Sequence, residues 1–485
     1  MTLFEDICFS GIALDSRLVQ PGWLYVALPG GSTHGSWHYE EAIQRGAKAI
    51  LTDRQGADIA AAATIPVAVV DDPRVQMAYL AAEICGRPAD SLELFAITGT
   101  TGKTSTASLL AAGLAAAGVK AATMGTLGVR IGSQALPLTS TTVTTPESPD
   151  IQRSLSRLLS LGVEAVAMEV SSHALALNRV DGIVFGCAAF SNLGSDHLDF
   201  HHTQEDYFLT KAALFTPARC RSAVVNIDDP YGRRLLRQIK DAGELPVYSA
   251  AVRQEADYQV TRQAIGFSKS EIELKTPSGT HNFRLGMPGE FSVRNALVAA
   301  ALIDQGKYDL AAALRGFADA EVPGRMQRVD LGQDAPAVVI DFAHSPEAIS
   351  AALASLPGRR IAVIGGGGDR DKAKRVPMGI AAAANSDVVI VTDDNPRSEN
   401  PQNIRDEILS GAYREAKYSS AEVIDGGERR NAIALALKLA QRGDWVAILG
   451  KGHERQQVFA GHVIDFVDAE VVQEEWAKLA KEESG

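Results

Sequence analysis

The sequence is poor in cysteine and contains no long apolar run. Its four cysteines, Cys8, Cys85, Cys187 and Cys220, are scattered over 485 residues without any Cys-x-x-Cys pair. That spacing argues against a zinc cluster or a disulfide framework, so a reduced, cytoplasmic protein is expected. The most apolar stretch, residues 109–119, is well short of the roughly 20 residues that a membrane helix needs. The first residues lack the basic and apolar regions of a secretory signal, so we expect no leader.

Positive charge is also scarce. The chain carries 47 Lys and Arg against 59 Asp and Glu, a formal net charge of −12. An acidic surface repels the phosphates of a polynucleotide, so we expect no nucleic-acid partner. If the ligands are anionic, a few local cations inside clefts must hold them.

Apolar runs alternate with helical segments along the whole chain. The runs that predict strands cover residues 23–28, 49–52, 67–70, 92–98, 165–170, 187–192, 223–226, 337–341, 360–364, 387–392, 422–424 and 445–449. Alternation of this kind predicts α/β domains with mainly parallel sheets. We expect three: a smaller N-terminal α/β domain (1–88), a central P-loop-type domain with helices on both faces of its sheet (89–322), and a C-terminal doubly wound, Rossmann-like domain (323–485).

One glycine loop lies between an apolar strand and an Ala/Leu-rich helix expected at about residues 103–117. It comprises Gly99, Thr100, Thr101, Gly102, Lys103, Thr104 and Ser105. Glycines let backbone N–H groups converge on phosphate, Lys103 can reach the β- and γ-phosphates, and Thr104 can reach Mg²⁺. Ile97 stands where the full Walker pattern has its first glycine. The alternative is an ordinary strand–helix turn, but Gly-Lys-Thr in this context favours phosphate binding.

Three ionisable residues follow later strands of the central segment. Glu169 lies at the end of one predicted strand and His197 beyond the end of another, beside the glycine loop. They are either surface groups or ligands of Mg²⁺, which prefers oxygen and takes imidazole less readily. Lys211 is the one cation in the apolar helical segment 207–215. It either extends to solvent or is desolvated, with a neutral amine available for chemistry.

Charged loops follow three strands of the last segment, at residues 365–372, 393–397 and 450–454. In a doubly wound sheet such loops meet at one crevice. Arg370 and Arg397 could clamp a carboxylate, and Glu454 could pair with an ammonium group. A ligand with both groups is an amino acid. Each loop taken singly could be a solvated turn.

These motifs together resemble the Mur ligases, and within that family the enzymes that add the third residue of the peptidoglycan stem peptide. The resemblance covers nearly the whole chain and rests on residues 14–17, 99–105, 144–147, 168–173, 211, 295, 323–325, 341–344, 394–397 and 450–454. It implies that ATP phosphorylates the D-Glu γ-carboxylate of UDP-N-acetylmuramoyl-L-Ala-D-Glu with the help of Mg²⁺. The amine of meso-diaminopimelate would then displace phosphate from the acyl phosphate, in cytoplasmic cell-wall precursor synthesis. We expect a monomer with no membrane insertion.

The resemblance also implies a role for each matched residue. The nucleotide-sugar substrate would be held by Leu14, Ser16, Gly31, Ser32, Thr33, Thr144, Thr145, Ser171 and Arg179. ATP would contact the glycine loop together with Asn295, Arg325 and Asp341. Catalysis would depend on Lys103, Glu169, His197 and Lys211, and Mg²⁺ would be bound by Thr104, Glu169, His197 and Lys211. For this purpose Lys211 would carry a carbamate (N6-carboxylysine), formed when CO₂ adds to the neutral amine.

The incoming amino acid would be bound by Arg370, Asp394, Asn395, Pro396, Arg397, Gly450 and Glu454. In this family an Arg at position 397 accompanies meso-diaminopimelate, whose second carboxylate it binds, whereas it would face an ammonium group on lysine. Leu177 and Val143 replace polar residues of some relatives, and Phe342 replaces a common Tyr. The rival hypotheses are a lysine-adding ligase, a folylpolyglutamate-synthase-like ligase and an inactive nucleotide-binding protein.

Overall fold

The computed structural model of the chain describes residue 4 and residues 7–31, 33–138, 143–194, 196, 198–266 and 269–482. The chain divides into two compact units. The first comprises residues 1–262, 273–283 and 294–317, and the second comprises residues 263–272, 284–293 and 318–485. Both are built from parallel-dominated sheets with flanking helices, so the predicted α/β class is confirmed. The boundaries proposed for three domains stay a prediction.

A small parallel sheet begins the first unit. Its elements are β1 (Ile12–Ala13), β2 (Leu24–Val26), α1 (Tyr39–Gln44), β3 (Ala49–Thr52), α2 (Arg54–Ile59), β4 (Val67–Val69) and α3 (Pro73–Ile84). The strands follow chain order and every neighbouring pair is parallel. Leu24 and Val26 pack into one core cluster while Tyr25 packs into the other, so both faces of the sheet are covered.

The central sheet carries the glycine loop. Its elements are β5 (Glu93–Thr98), α4 (Lys103–Ala116), β6 (Ala121–Gly125), β7 (Gly128–Ile131), β8 (Gln134–Leu136), α5 (Ser148–Ser160), β9 (Ala165–Glu169), α6 (Ser172–Ala176), β10 (Cys187–Phe190), α7 (Leu198–His201), α8 (Gln204–Ala212), β11 (Ala223–Asn226), α9 (Pro230–Ala242), β12 (Val247–Ala251), β13 (Tyr258–Ala264), β14 (Ser270–Thr276), β15 (Gly279–Leu285), α10 (Glu290–Gln305) and α11 (Leu310–Arg315). Within the described residues the strand order is β15-β14-β13-β12-β11-β10-β5-β9-β6-β7-β8.

The strand β5 pairs in parallel with β10 on one side and with β9 on the other. The residues that follow these three strands therefore meet at one edge of the sheet, as the sequence predicts. The strands β6–β8 and β12–β15 were not predicted, although β14 alternates buried and exposed residues in the pattern of a half-buried strand.

A second doubly wound sheet lies in the second unit. Its elements are β16 (Gln327–Val329), β17 (Ala337–Asp341), α12 (Pro346–Ala354), β18 (Arg360–Gly366), α13 (Arg375–Asn385), β19 (Val388–Asp393), α14 (Pro401–Ser419), β20 (Glu422–Gly427), α15 (Arg429–Leu439), β21 (Trp445–Leu449), β22 (Gln456–Phe459), β23 (His462–Asp465) and α16 (Asp468–Glu482). The order is β16-β17-β21-β18-β19-β20, parallel except for β16. Within the described part of the chain, no helix combines the length and hydropathy of a bilayer span.

The strand β18 is longer than predicted, because Gly365 and Gly366 pair with Thr392 and Asp393. A Cβ on Gly365 would press against the Thr392 carbonyl oxygen, so glycine lets the strands stay paired. The charged loop consequently begins at Gly367, directly at the carboxyl edge of the sheet.

A buried ion pair joins two helices behind this edge. The Arg429 Nε and Nη2 atoms donate to the two Asp468 carboxylate oxygens at 2.7 and 2.8 Å, and both side chains are buried. Arg429 Nη2 also donates to the carbonyl oxygen of Leu449, the last residue of β21. The pair thus holds α15, α16 and the end of β21 together.

Replacing Asp468 by Ala leaves the Arg429 charge buried without its main partner, and we expect unfolding in urea to show a loss of about 3–5 kcal/mol. The control is Glu470→Ala on the same helix, where the partner Arg455 is exposed and 3.6 Å away. That variant should lose less than about 1 kcal/mol. Equal losses for the two variants would contradict the argument.

Candidate active site

Two glycines shape the phosphate loop between β5 and α4. Gly99 has a φ of 146° and Gly102 a φ of 86°, both in the region that favours glycine. A Cβ on Gly99 would collide with the Ser191 hydroxyl, and one on Gly102 with the Asn295 side-chain oxygen. The loop is therefore closely packed, and the structure brings the predicted Asn295 beside it.

The segment that follows β10 anchors the same loop. Asn192 accepts hydrogen bonds from the backbone N–H groups of Thr100, at its carbonyl, and of Thr101, at its side chain, both at 3.0 Å. The Thr100 hydroxyl accepts from Gly194 N at 2.9 Å. Asn192 was not predicted as a site residue; its position after a strand neighbouring β5 was the available signal.

Two lysine amines converge on one carbonyl of the loop. Lys103 Nζ donates to Gly99 O at 2.8 Å and to Thr100 O at 2.9 Å, and Lys211 Nζ donates to Gly99 O at 3.0 Å. Lys211 is 1% exposed, and its amine lies 4.5 Å from the centre of the Tyr207 ring. The side chain thus does not extend to solvent. Burial, reinforced by the Lys103 charge, lowers the Lys211 pKa well below its ordinary value.

A buried carboxylate faces the start of α4. Glu169 is 2% exposed and accepts hydrogen bonds from the Thr104 hydroxyl at 3.0 Å, the Thr126 hydroxyl at 3.0 Å and Thr126 N at 2.9 Å. Glu169 is therefore not a surface group. Thr126, which follows β6, was not predicted. His197 lies outside the described residues, among which no group of three His, Cys, Asp or Glu could hold a metal.

A polar network surrounds the carboxyl end of β9. The Thr145 hydroxyl donates to Glu169 O at 2.8 Å and accepts from Ser171 N at 3.0 Å. Arg179 donates to Thr145 O at 2.9 Å and pairs with Glu147, also at 2.9 Å. The predicted residues Thr145, Ser171 and Arg179 therefore lie together. Thr144 joins them through the Thr126 hydroxyl, 3.2 Å away.

The predicted nucleotide-sugar residues of the N-terminal segment lie in short turns around its sheet. The Ser16 hydroxyl donates to Glu41 in α1 at 2.7 Å. Thr33 accepts at its carbonyl from Gly30 N at 3.0 Å, which closes a turn around Gly31. Leu14 directly precedes the turn of Ser16, and Ser32 lies outside the described residues.

In the second unit, Asp341 ends β17 and holds the Pro-Gly-Arg segment. Its carboxylate accepts from Met326 N at 2.7 Å and from Ala343 N at 2.8 Å. Burial raises the Asp341 pKa, although the Arg325 charge opposes the shift. The Arg325 guanidinium lies 4.6 Å from the centre of the Phe342 ring, so the Phe in place of Tyr offers a flat face to the cation.

An acidic cluster forms where β19 and β21 end. Asn395 Nδ2 donates to Glu454 at 2.6 Å and to Asp394 at 3.2 Å. A Cβ on Gly450 would press against the Asp394 carboxylate. Lys451 is buried, with its amine 3.7 Å from Glu454. Burial and the neighbouring Asp394 raise the Glu454 pKa, although the Lys451 charge opposes the shift.

Two arginines lie beside this cluster. Arg397 Nη1 donates to Gly368 O at 2.7 Å, and the backbone of Arg397 is left-handed, with a φ of 52°. A Cβ on Gly367 would touch both Arg397 and Arg370, so the two side chains pass over the same glycine. Pro396 is buried, and Arg397 N donates to Val458 O in β22 at 2.9 Å. The three predicted loops do meet at one edge of the sheet.

Three family profiles match most of the chain. The "Mur ligase family, catalytic domain" covers residues 9–84, the "Mur ligase middle domain" residues 97–303, and the "Mur ligase, glutamate ligase domain" residues 324–452. The chain belongs to the Mur ligase family. The resemblance and the predicted class of ATP-dependent ligase are thereby confirmed.

Individual relatives carry more specific names than the family profiles. Proteins of Streptomyces coelicolor and Corynebacterium glutamicum named UDP-N-acetylmuramoyl-L-alanyl-D-glutamate--2,6-diaminopimelate ligase are 44% and 42% identical to this chain. The matches cover 96% of this chain and 92% and 91% of theirs. A solved structure with the same name has a TM-score of 0.70 at 29% identity, and covers 97% of this chain and 95% of its own. The predicted fold is confirmed.

Burial of Lys211 predicts a pH-dependent stability. Because its folded-state pKa is lowered from 10.5, the unfolded chain binds the extra proton between the two pKa values, so stability rises with pH over that interval. The stability of wild type relative to Lys211→Met should therefore increase as the pH rises toward the ordinary lysine pKa, in CO₂-free buffer.

Denaturant unfolding at several pH values measures this difference. The control is Lys240→Met, at an exposed position of α9, which should give the same difference throughout. A pH-independent difference for Lys211→Met would show that the amine is not desolvated.

Proposed function

We propose that this chain adds meso-diaminopimelate to the D-Glu γ-carboxylate of UDP-N-acetylmuramoyl-L-Ala-D-Glu in an ATP-dependent reaction of peptidoglycan precursor synthesis. The observation that carries this choice of amino acid is the position of Arg397, beside Arg370 at the edge where Asn395 and Glu454 also lie. Named relatives with 38–44% identity support it. We further propose a cytoplasmic monomer.

The phosphoryl-transfer half would be carried by the phosphate loop. Backbone N–H groups and the start of α4 attract the ATP phosphates, and Lys103 can exchange its carbonyl partners for phosphate oxygens. These groups would stabilise the charge on the transferring phosphoryl group, because phosphoryl transfer needs mainly positioning and electrostatics. Asn295, Arg325 and Asp341 would contribute the remaining ATP contacts.

The residues around Glu169 fit magnesium. The Glu169 carboxylate and the Thr104 hydroxyl are hard oxygen donors 3.0 Å apart, which suits Mg²⁺ better than a softer metal. Bound there, Mg²⁺ would neutralise phosphate charge next to Lys103. His197 would be a further ligand.

Lys211 fits a carbamate. CO₂ adds only to a neutral amine, and burial lowers the Lys211 pKa toward that form. In the reaction the amine nitrogen forms a bond to the CO₂ carbon and releases one proton, which leaves an anionic carboxylate. This group would provide oxygen ligands for a second Mg²⁺ and would change the repulsion between Lys211 and Lys103 into attraction.

Different polar groups would bind the two substrates that the new amide bond joins. Arg397 and Arg370 would fork onto the distant carboxylate of diaminopimelate, while Glu454 and Asp394 would pair with its ammonium group. Asn395, Pro396 and Gly450 would shape that pocket. The nucleotide sugar would be bound by Leu14, Ser16, Gly31, Ser32, Thr33, Thr144, Thr145, Ser171 and Arg179. The attacking amine then meets the activated carboxylate, and phosphate leaves.

The assay of choice measures phosphate release from ATP with Mg²⁺, the UDP-muramoyl dipeptide and either meso-diaminopimelate or L-lysine. We expect release with diaminopimelate and much less with lysine. Equal rates or a preference for lysine would favour the lysine-adding hypothesis. Release with neither amino acid would favour an inactive nucleotide-binding protein.

Arg397→Lys keeps a charge but loses the fork, so kcat/KM for diaminopimelate should fall roughly 10- to 100-fold, the range of a lost charge-assisted hydrogen bond. The kcat/KM for L-lysine should hardly change. Arg414→Ala on an exposed position of α14 is the control and should leave both unchanged. A parallel loss with both amino acids would contradict the assigned role of Arg397.

Lys211→Ala should be inactive, and formate or acetate should restore part of its activity by supplying the missing carboxylate. Lys103→Ala serves as the comparison, because a carboxylate cannot replace its positive charge. A folded Lys211→Ala protein that no short carboxylate rescues would exclude the carbamate.

A further inference from the structure

Two loops of the second unit are fastened to one another at residues 367–371 and 395–400, and we call them the clamp loops because they carry Arg370 and Arg397. Gly368 N donates to Asn395 O at 2.9 Å. The Ser398 hydroxyl and backbone N–H both donate to the Asp369 carboxylate, at 2.6 and 3.1 Å. The spacing of the two arginines thus depends on contacts between the loops.

A buried arginine at the start of α13 lies beneath both clamp loops. Arg375 is 2% exposed and forks onto Glu399, with Nη2 to Oε1 at 2.8 Å and Nη1 to Oε2 at 3.1 Å. Arg375 Nη2 also donates to Gly367 O at 3.2 Å, in the other loop. Its guanidinium therefore bonds to the first clamp loop and the second at once.

Glu399, in the second clamp loop, also bonds to the first clamp loop directly. Its Oε1 accepts from Asp369 N at 2.7 Å, so a carboxylate of the second clamp loop fixes the backbone of the first. Lys372 also approaches it, at 3.1 Å. These hydrogen bonds, chiefly that of Arg375, lower the Glu399 pKa to about 2, so the link is charged at all physiological pH values.

The arginines themselves need such support. Arg370 is exposed, and the left-handed backbone of Arg397 is strained for a residue with a side chain. Such a conformation persists only where its surroundings determine it. Glu399 N donates to Pro396 O at 3.0 Å. The turn that contains Arg397 therefore ends at Glu399, the residue to which Arg375 is bound. Two guanidinium groups directed at one ligand also repel each other, and the scaffold must resist that repulsion.

We infer that Arg375 and Glu399 are positioning residues, which set the spacing of Arg370 and Arg397 and thereby the selectivity for a diamino acid with a second carboxylate. This inference rests on the proposed function. Neither residue touches the amino acid; both act through the clamp loops.

The link between Arg375 and Glu399 can be tested with a substitution that leaves Arg375 a second carboxylate partner. Arg375 also donates to Glu407 at 3.2 Å, so Glu399→Gln does not leave the buried guanidinium without a carboxylate. The matched control is Asp444→Asn, at the opposite end of the sheet. Asp444 pairs with Arg359 at 2.7 Å and accepts from Gln441 N, and its side chain is 13% exposed against 16% for Glu399.

Steady-state kinetics on the full chain should separate the three substrates. For Glu399→Gln we expect KM for meso-diaminopimelate to rise about tenfold or more, as is typical when an outer supporting contact is removed, with a similar fall in preference over lysine. The KM values for ATP and the UDP-muramoyl dipeptide should not change. Asp444→Asn should alter none of these quantities. Arg375→Lys, which keeps the charge but not the fork, should give an intermediate rise.

A wild type that prefers diaminopimelate, with a Glu399→Gln variant that keeps the same KM and preference, would overturn this inference alone. An equal rise in all three KM values would also overturn it, because that pattern indicates general loosening. If Glu399→Gln does not fold, Ser398→Ala removes one exposed contact between the clamp loops and should still raise only the KM for diaminopimelate. A wild type that does not use diaminopimelate would refute the proposed function, and this inference with it.

Discussion

The carbonyl oxygen of Gly99 accepts hydrogen bonds from both Lys103 and Lys211, and the chemistry of the first unit depends on that shared acceptor. Two ammonium groups cannot be buried so close together at low cost, so one of them is driven toward the neutral form. Lys211 is the more deeply buried of the two. The charge of Lys103 thus adds to burial in lowering the pKa of the Lys211 amine next to the loop.

The same constraint explains the glycine at this position. The backbone of Gly99 adopts a φ of 146° and packs against Ser191, where a Cβ would collide with the hydroxyl group. Thr104 lies in the first turn of α4, at the other end of the loop, and its hydroxyl donates to Glu169 at the end of β9. The glycine loop thus contacts both the buried carboxylate of β9 and the buried amine of α8.

In the second unit, ion pairs hold charged segments in position. The charged groups that are predicted to bind the amino acid follow β18, β19 and β21, where neighbouring charges would displace one another. Arg429 with Asp468 holds the end of β21, and Arg375 with Glu399 holds the clamp loops. Charged side chains at this edge of the sheet are thus backed by buried ion pairs.

Much of this arrangement was determined by the amino-acid sequence alone. Continuous apolar runs predicted most of the buried parallel strands to within three residues, although β1, β6 and β12 were not predicted. Polar residues at the strand ends indicated the glycine loop, Glu169 and the clamp loops, because a parallel sheet brings strand ends to one edge. Tertiary structure alone decided what those side chains contact. Thr126, Arg375 and Glu399 carry no distinctive local pattern, and whether Lys211 reaches solvent or Gly99 depends on segments more than a hundred residues apart. Hydrophobic periodicity reports which face of an element is buried, whereas hydrogen-bond partners are set by the packing of distant elements.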